Sequence, residues 1–326
     1  MKTHPYDSLT PDMVIDAVES AGYLSDARLL ALNSYENRVY QVGIEDEQPV
    51  IAKFYRPQRW TRAQIIEEHQ FALELQDAEI SVVAPLVDER GNTLHEFGNF
   101  MFALFPRRGG YPPELDNLDN LLILGRTMGR IHGVGRAGQF NQRITISVDA
   151  MLSQNRLYLL ENFIPKSLQE AYASLTEDIE RKVIALYGEV NASDLIRVHG
   201  DCHVGNILWR DDCAHFVDLD DCCMAPAIQD LWMFLSGDRH RRQLQLSELV
   251  EGYNEFCDFD PRQLRWVEAL CTMRIINYAA WLAKRWEDPA FPRSFTWFNT
   301  ERYWGEHILE LREQLAALDE EPLKLL

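Results

Sequence analysis

Asp201, Asn206 and Asp218 are the side chains whose types and spacing point to a reaction. Asp201 stands five residues before Asn206 inside Val198-His199-Gly200-Asp201-Cys202-His203-Val204-Gly205-Asn206-Ile207-Leu208-Trp209, a polar knot flanked by apolar residues. Asp218 follows twelve residues after Asn206, at the end of the short apolar run Phe216-Val217. Such a loop presents a carboxylate that can orient a hydroxyl and, beside it, a carboxamide oxygen; a strand then delivers a second carboxylate. Hard oxygen ligands of this kind suit Mg²⁺, which completes its shell with substrate phosphates. One carboxylate for a nucleophile and two oxygens for a metal make the minimum kit for phosphoryl transfer. Singly, each residue has a plainer reading: Asp201 and Asp218 as turn residues, Asn206 as a helix cap. The joint spacing favours chemistry, and Ile207-Leu208-Trp209 reads as strand rather than helix.

Other charged residues extend the kit. Lys53 lies alone in the apolar run Val50-Ile51-Ala52-Lys53-Phe54, so it either faces solvent or aims at phosphate; strand alternation puts it on one side with Ile51 and Tyr55. Fifteen or so residues on, Glu67 and Glu68 both offer a partner, and Glu68 shares the helical stripe of Ile65, Ala72 and Leu75. For Lys53 and Glu68 alike the plain alternative is an exposed surface residue. Asp220 and Asp221 crowd Asp218, and carboxylates so close repel unless a cation sits among them. Metal would relieve this, or Asp221 simply faces solvent. His199 reads as a loop-holding residue. Six cysteines without C-x-x-C spacing read as core fillers, with redox sensing the minority alternative.

The run His199-Gly200-Asp201-x-x-x-x-Asn206, then Asp218, has the spacing of the kinase catalytic loop H-R-D-x-x-x-x-N followed by its metal-binding Asp. In its H-G-D-x-H-x-x-N form it resembles the aminoglycoside phosphotransferase and choline kinase branch of the protein-kinase-like fold. Leu32-Asn33-Ser34-Tyr35-Glu36-Asn37-Arg38-Val39-Tyr40, Lys53-Phe54-Tyr55-Arg56-Pro57 and Asp288-Pro289-Ala290-Phe291-Pro292 resemble the stress response kinase A family of bacteria, and that likeness extends over nearly the whole chain. It implies an α+β, two-lobed protein-kinase-like fold with a small β-rich N-lobe and a larger, mainly helical C-lobe. It further implies ATP as co-substrate, Mg²⁺ held by Asn206 and Asp218, and Asp201 as the catalytic carboxylate. Lys53 would contact the α- and β-phosphates and pair with Glu68, Ser34 would hydrogen-bond phosphate, and Phe102 to Phe105 would back the adenine. Asp230 would brace the catalytic loop, or else serve as a helix-start Asp. Acceptors implied are protein Ser/Thr hydroxyls. The alternatives are a small hydroxylated molecule of the aminoglycoside or choline type, which the acidic charge would suit, and a nucleotide-binding scaffold without turnover.

Two departures from eukaryotic protein kinases matter. The position two after the catalytic Asp is His203 where those enzymes carry Lys. Asp218 reaches Asp230 in twelve residues without D-F-G or A-P-E, too short for a phosphorylatable activation loop. Ser34 also lies in no G-x-G-x-x-G, so an ordinary polar hairpin is its alternative. Peptide docking would then use other surface, such as the aromatic stretch from Tyr278 to Phe298, unless those rings are core, the better reading for Trp281.

The elements fit this plan. Val14, Ile15 and Val18 predict a helix from Pro11 to Gly22. Strands are expected at Leu29 to Leu32, Val39 to Ile44, Val50 to Tyr55, Val82 to Val87 and Phe100 to Phe105, with one helix from Thr61 to Leu75 among them. Arg107-Arg108-Gly109-Gly110-Tyr111-Pro112-Pro113 reads as a hinge, which sets lobes at 1–105 and 106–326. Beyond it helices are expected over 118–132, 176–190, from 230, 247–256, 261–286 and 300–318. The chain has 326 residues, 46% hydrophobic and 25% charged, with a formal net charge of −19. That charge disfavours nucleic acid and anionic membrane as partners. No apolar run approaches the ~20 residues a membrane helix needs, and the N-terminus lacks a signal-peptide core. The expectation is a cytoplasmic monomer.

Overall fold

The structure, a computed structural model, describes residues 5–326. Helix α1 (Pro11–Ser20) starts where Thr10 caps the Met13 N–H and Pro11 occupies the first turn. There follow β1 (Ser25–Leu32), β2 (Arg38–Ile44), β3 (Val50–Phe54), α2 (Arg62–Asp77), β4 (His95–Phe97) and β5 (Phe100–Pro106). The five strands form one antiparallel sheet in the order β1-β2-β3-β5-β4. Alternation decides its faces. Val42, Ala52, Phe54, Phe100, Phe102 and Leu104 pack with Val14, Ala17 and Val18 of α1. On the opposite face Tyr55 and Ala103 pack against Ile65 of α2. Lys53 stands on that second face, in register with Ala103 of β5.

The expected strand over 82–87 does not form. Val82 makes a single parallel bridge to Phe216, Val83 N–H bonds the Phe216 carbonyl, and Leu86 N–H bonds the Leu104 carbonyl. Pro85 has no N–H to give a ladder, so the segment stitches two pieces of structure together, and β4 supplies the fifth strand. The glycine- and proline-rich stretch after β5 is likewise no free tether. Tyr111 and Trp209 exchange both main-chain hydrogen bonds, at 3.2 and 2.8 Å.

The remainder is mostly helical: α3 (Leu118–Arg136), α4 (Gln154–Asn162), α5 (Gln169–Tyr187), α6 (Ile228–Leu231), α7 (Arg239–Asn254), α8 (Val267–Lys284), α9 (Ala290–Ser294) and α10 (Glu301–Ala317). The expected helix 261–286 is divided, with tight 3₁₀ turns over Pro261–Trp266 before α8. Helices α3 and α7 approach closely because Gly125 and Gly252 face the partner's main chain, where a Cβ would overlap a carbonyl oxygen. Two small antiparallel strand pairs, β6 (Ile196–Val198) with β9 (Cys223–Ala225) and the hairpin β7 (Ile207–Arg210) with β8 (Cys213–Phe216), are embedded in this lobe. The polar knot lies in the link from β6 to β7, and Asp218 in the link from β8 to β9. Among the described residues, no helix is long and apolar enough to cross a membrane.

Candidate active site

β6 ends at Val198, and the chain turns at once through Gly200, whose φ of +86° excludes ordinary side chains. A Cβ there would also overlap the Asp221 carbonyl oxygen. Asp230, fully buried, accepts from both turning N–H groups, His199 at 2.8 Å and Gly200 at 2.9 Å, and takes a third bond from His132 Nε2 at 3.0 Å. Gln229 Nε2 donates to the Gly200 carbonyl at 2.9 Å. His199 is buried and its Nε2 donates to the Val217 carbonyl at 2.9 Å, tying the loop to the segment that presents Asp218.

This frame sets out the three side chains. Asn206 closes a single 3₁₀ turn, Val204–Asn206. Its Nδ2 donates to the Asp201 carbonyl at 2.9 Å, so the amide proton side is spent and its oxygen is left as an acceptor. Val217 N–H bonds the Asn206 carbonyl at 3.0 Å, which brings Asp218 alongside. Asp218 has left-handed backbone, φ 59° and ψ 65°, a conformation Asp tolerates better than most residues. Its carboxylate is half exposed, and among the described residues Oδ1 alone is bonded, to Lys53 Nζ at 2.9 Å.

The Asp201 carboxylate faces a guanidinium and an imidazole. Arg274 of α8 stands 2.6 Å from Oδ1, and His203 Nε2 lies 3.4 Å from Oδ2. His203 Nδ1 accepts from Gly205 N–H at 3.0 Å, so the ring's proton sits on the nitrogen facing Asp201. Burial alone would raise the Asp201 carboxyl; the His203 hydrogen bond and the Arg274 charge outweigh it and hold the group well below the usual carboxylate range.

Lys53 is buried among Asp218, Asp220 and, at 3.8 Å, Glu68. Burial would discharge it, but Asp218 and Asp220 hold its pKa well above the ordinary lysine value. Glu68 does face inward, yet the tighter partner is Asp220, which also accepts from Asn37 Nδ2. The crowding of acidic residues around Asp218 is thus relieved by protein cations: Lys53 for Asp220, and Arg59 for Asp221 at 2.6 Å. Burial first, and Asp220 next, push the Glu68 carboxyl up. Glu67 points elsewhere, accepting from the N–H groups of Asn141, Gln142 and Arg143 at 2.6, 2.8 and 2.9 Å. Arg143, buried under Trp60, then donates to the carbonyls of Asp220 and Cys222. Ser34 lies in the β1–β2 loop and bonds no described residue through its side chain, whereas its neighbours Glu36 and Asn37 are buried and bonded.

Spacing in the sequence did not single out Arg143, Arg274, His132 or Glu36. Glu36 joins the lobes: it faces Arg56 and Arg59 at 3.6 and 3.4 Å, Arg285, and the Trp281 indole N–H at 2.7 Å. Trp281 is partly buried against the core, in line with the core reading, while Trp297 and Tyr278 remain 46% and 43% exposed. Cys202, Cys222 and Cys223 are buried, and burial raises their thiols away from the thiolate form, as core fillers require.

Behind Lys53, His69 is held between Tyr55 Oη and Thr93 Oγ1, each at 2.7 Å. Burial, then the charge of Lys53, lowers its pKa from 6.5 to about 3. The unfolded chain therefore binds a proton here that the fold refuses, so stability falls as pH drops from 6.5 toward 3. His69→Gln should flatten this acid slope: melting temperature against pH would decline less steeply below 6.5 than in the parent. Parallel curves would show that His69 does not carry it.

Comparison with known proteins gives the family and the fold. Residues 28–267 match the phosphotransferase enzyme family. Stress response kinase A of Escherichia coli O157:H7 is 45% identical over 321 residues, 98% of this chain and 97% of that protein. Serine/threonine protein kinase RdoA of Salmonella typhimurium is 42% identical over the same shares. The solved amicoumacin kinase, with a TM-score of 0.72 and 18% identity over 94% of this chain and 93% of its own, has the same two-lobed fold. With its catalytic-loop spacing, lobes and near full-length likeness in agreement, the chain belongs to the phosphotransferase enzyme family, within the stress response kinase A group.

Proposed function

We propose that this phosphotransferase is a cytoplasmic serine/threonine protein kinase of a bacterial stress response, using ATP and Mg²⁺ in the cleft between lobes 1–105 and 106–326. The observation that carries it is Asp201, Asn206 and Asp218 brought together, Asn206 Nδ2 bonding the Asp201 carbonyl and the Asn206 carbonyl accepting from Val217 N–H beside Asp218, with Lys53 reaching Asp218 from the sheet at 2.9 Å. The Ser/Thr reading is supported by the 42% identical relative of that name.

Asn206 and Asp218 would hold the metal. Their donors are two hard oxygens, and both are left available: the amide by its Nδ2 bond, the carboxylate by its exposure. Among the described residues no three His, Cys, Asp or Glu side chains would cage a metal unaided, as suits an ion that takes its remaining ligands from phosphate and water. When bound, Mg²⁺ neutralises charge on the β- and γ-phosphates. Lys53 binds phosphate oxygen, kept cationic by its carboxylate neighbours. Asp201 orients the acceptor hydroxyl and takes up its proton. Positioning supplies most of the rate, since the protein has little covalent work to do.

Labelled ATP offered with buffer alone, with a generic protein and with a panel of amino alcohols tests the proposal. Label on protein Ser/Thr supports it; label only on an amino alcohol moves the chain to the small-molecule reading, and no transfer at all leaves the scaffold reading. A second check isolates the metal. Asp218→Ala should cut the Mg²⁺-dependent part of ATP-analogue affinity by at least the roughly tenfold that even an outer-shell ligand costs. If the ratio of affinities with and without Mg²⁺ stays at the parent value, Asp218 is no ligand.

A further inference from the structure

The acceptor hydroxyl has to reach Asp201, and the group already resting on that carboxylate is the Arg274 guanidinium, 2.6 Å from Oδ1. Arg274, Tyr278 and Trp281 of α8 and its C-cap residue Arg285 recur at spacings of four, three and four, a single stripe. At its far end Trp281 and Arg285 bind Glu36 of the β1–β2 loop. The stripe therefore spans from the nucleotide-covering loop to the catalytic carboxylate, with the Tyr278 ring half exposed between them.

Charge along this wall is already balanced. Glu36 faces Arg56, Arg59 and Arg285; Asp221 pairs with Arg59 at 2.6 Å; Asp288 pairs with Arg56 at 2.8 Å. A cationic acceptor would find these carboxylates taken and Arg274 in its path. The net charge of −19 acts on a partner at range and is screened beyond about 8–10 Å, so close pairing decides the bound state. When a hydroxyl engages Asp201, Arg274 gives up part of that contact. An anionic group beside the hydroxyl offers the guanidinium a replacement, and Arg is the side chain best shaped for a carboxylate or phosphate.

We propose that Arg274 is the specificity-determining residue of the acceptor site, favouring Ser/Thr hydroxyls flanked by acidic residues and rejecting cationic alcohols. This rests on the reading of the chain as an ATP-dependent kinase acting on hydroxyls. In the transfer, the acceptor oxygen bonds the γ-phosphorus as the bridging bond to ADP breaks, and the hydroxyl proton passes to Asp201; Arg274 takes no part in that exchange of bonds. It contacts the group next to the hydroxyl.

The test uses the full chain, Arg274→Ala, Arg274→Lys and Arg274→Glu, with five acceptors: one Ser peptide flanked by Glu, the same peptide flanked by Lys, glycerate, ethanolamine and a neutral diol. Arg274 is 37% exposed, so its replacement opens no buried cavity. The parent is expected to use the Glu peptide best. Arg274→Ala should raise KM for the Glu peptide about two- to fivefold more than for the Lys peptide, the worth of one exposed ion pair, while any change in kcat from removing the charge beside Asp201 falls on both peptides alike. Arg274→Lys should restore most of the preference, and Arg274→Glu should reverse it. Equal losses on all acceptors, or a parent that prefers the Lys peptide or ethanolamine, would overturn the assignment. If no peptide accepts but glycerate does, and Arg274→Glu abolishes that, the selectivity stands while the protein-kinase reading falls.

Discussion

Asp201→Asn is expected to lower kcat about 10²–10⁴-fold, the range of a positioned general base, and to leave ATP-analogue affinity within about twofold of the parent. The substitution keeps size and shape and removes the carboxylate's ability to take a proton. It also spares the local frame, because Asn206 is held by the main-chain carbonyl of residue 201 and not by its side chain. Only the pairing with Arg274 and His203 is weakened, and these side chains, 37% and 41% exposed, can turn to water. The residues proposed to contact nucleotide and metal are Lys53, Asp218 and Asn206, and among the described residues none of them is bonded to the Asp201 carboxylate. Steady-state turnover and calorimetric titration with a non-hydrolysable analogue separate the two quantities. A kcat within tenfold of the parent would remove Asp201 from the proton-taking role; lost nucleotide affinity would instead place it in the binding site.

Much of this arrangement is legible in the sequence. Helices α1 and α2 and four of the five strands of the N-lobe follow from alternation and helical stripes, and the inward direction of Glu68 follows from its stripe with Ile65, Ala72 and Leu75. Spacing brings Asp201, Asn206 and Asp218 together because a hairpin of four-residue strands joins them, and a hairpin returns the chain to its start. What spacing could not reach are the partners supplied from far along the chain. Arg274 of α8 meets Asp201 from another part of the lobe, and Arg143 meets Asp220 across 77 positions. Nothing local distinguishes either arginine from one on a solvated face. Asp220 was visible only as one of several crowded acids, since its tie to Lys53 depends on how the sheet docks on the second lobe. The strand expected over 82–87 failed for a local reason that was readable: Pro85 in its midst.

Asp230→Ala is expected to destabilise the catalytic lobe more than any loss at the site itself. The carboxylate is fully buried and meets three donors, His199 N–H, Gly200 N–H and His132 Nε2, at 2.8 to 3.0 Å. Truncation strands two main-chain N–H groups in a place water does not reach, at about 1–3 kcal/mol each. Gly200 has no relaxed alternative, as its positive φ is set by the turn that Asp230 holds. The total, roughly 3–5 kcal/mol, is a large share of the about 5–15 kcal/mol by which folded domains are stable. For a lobe of this size that corresponds to a fall in melting temperature of about 10 °C. Asp230→Asn should recover only part, because one of its two terminal atoms now donates toward groups that also donate. Heat denaturation of the three proteins gives the ordering, parent above Asp230→Asn above Asp230→Ala. Turnover measured well below each melting point then reads the loop itself: with the turn slackened, Asp201 loses its fixed relation to Asn206 and Asp218, so kcat should fall even where the chain remains folded. A melting temperature within about 2 °C of the parent for Asp230→Ala would mean that the turn is held by Gln229 and His199 without it.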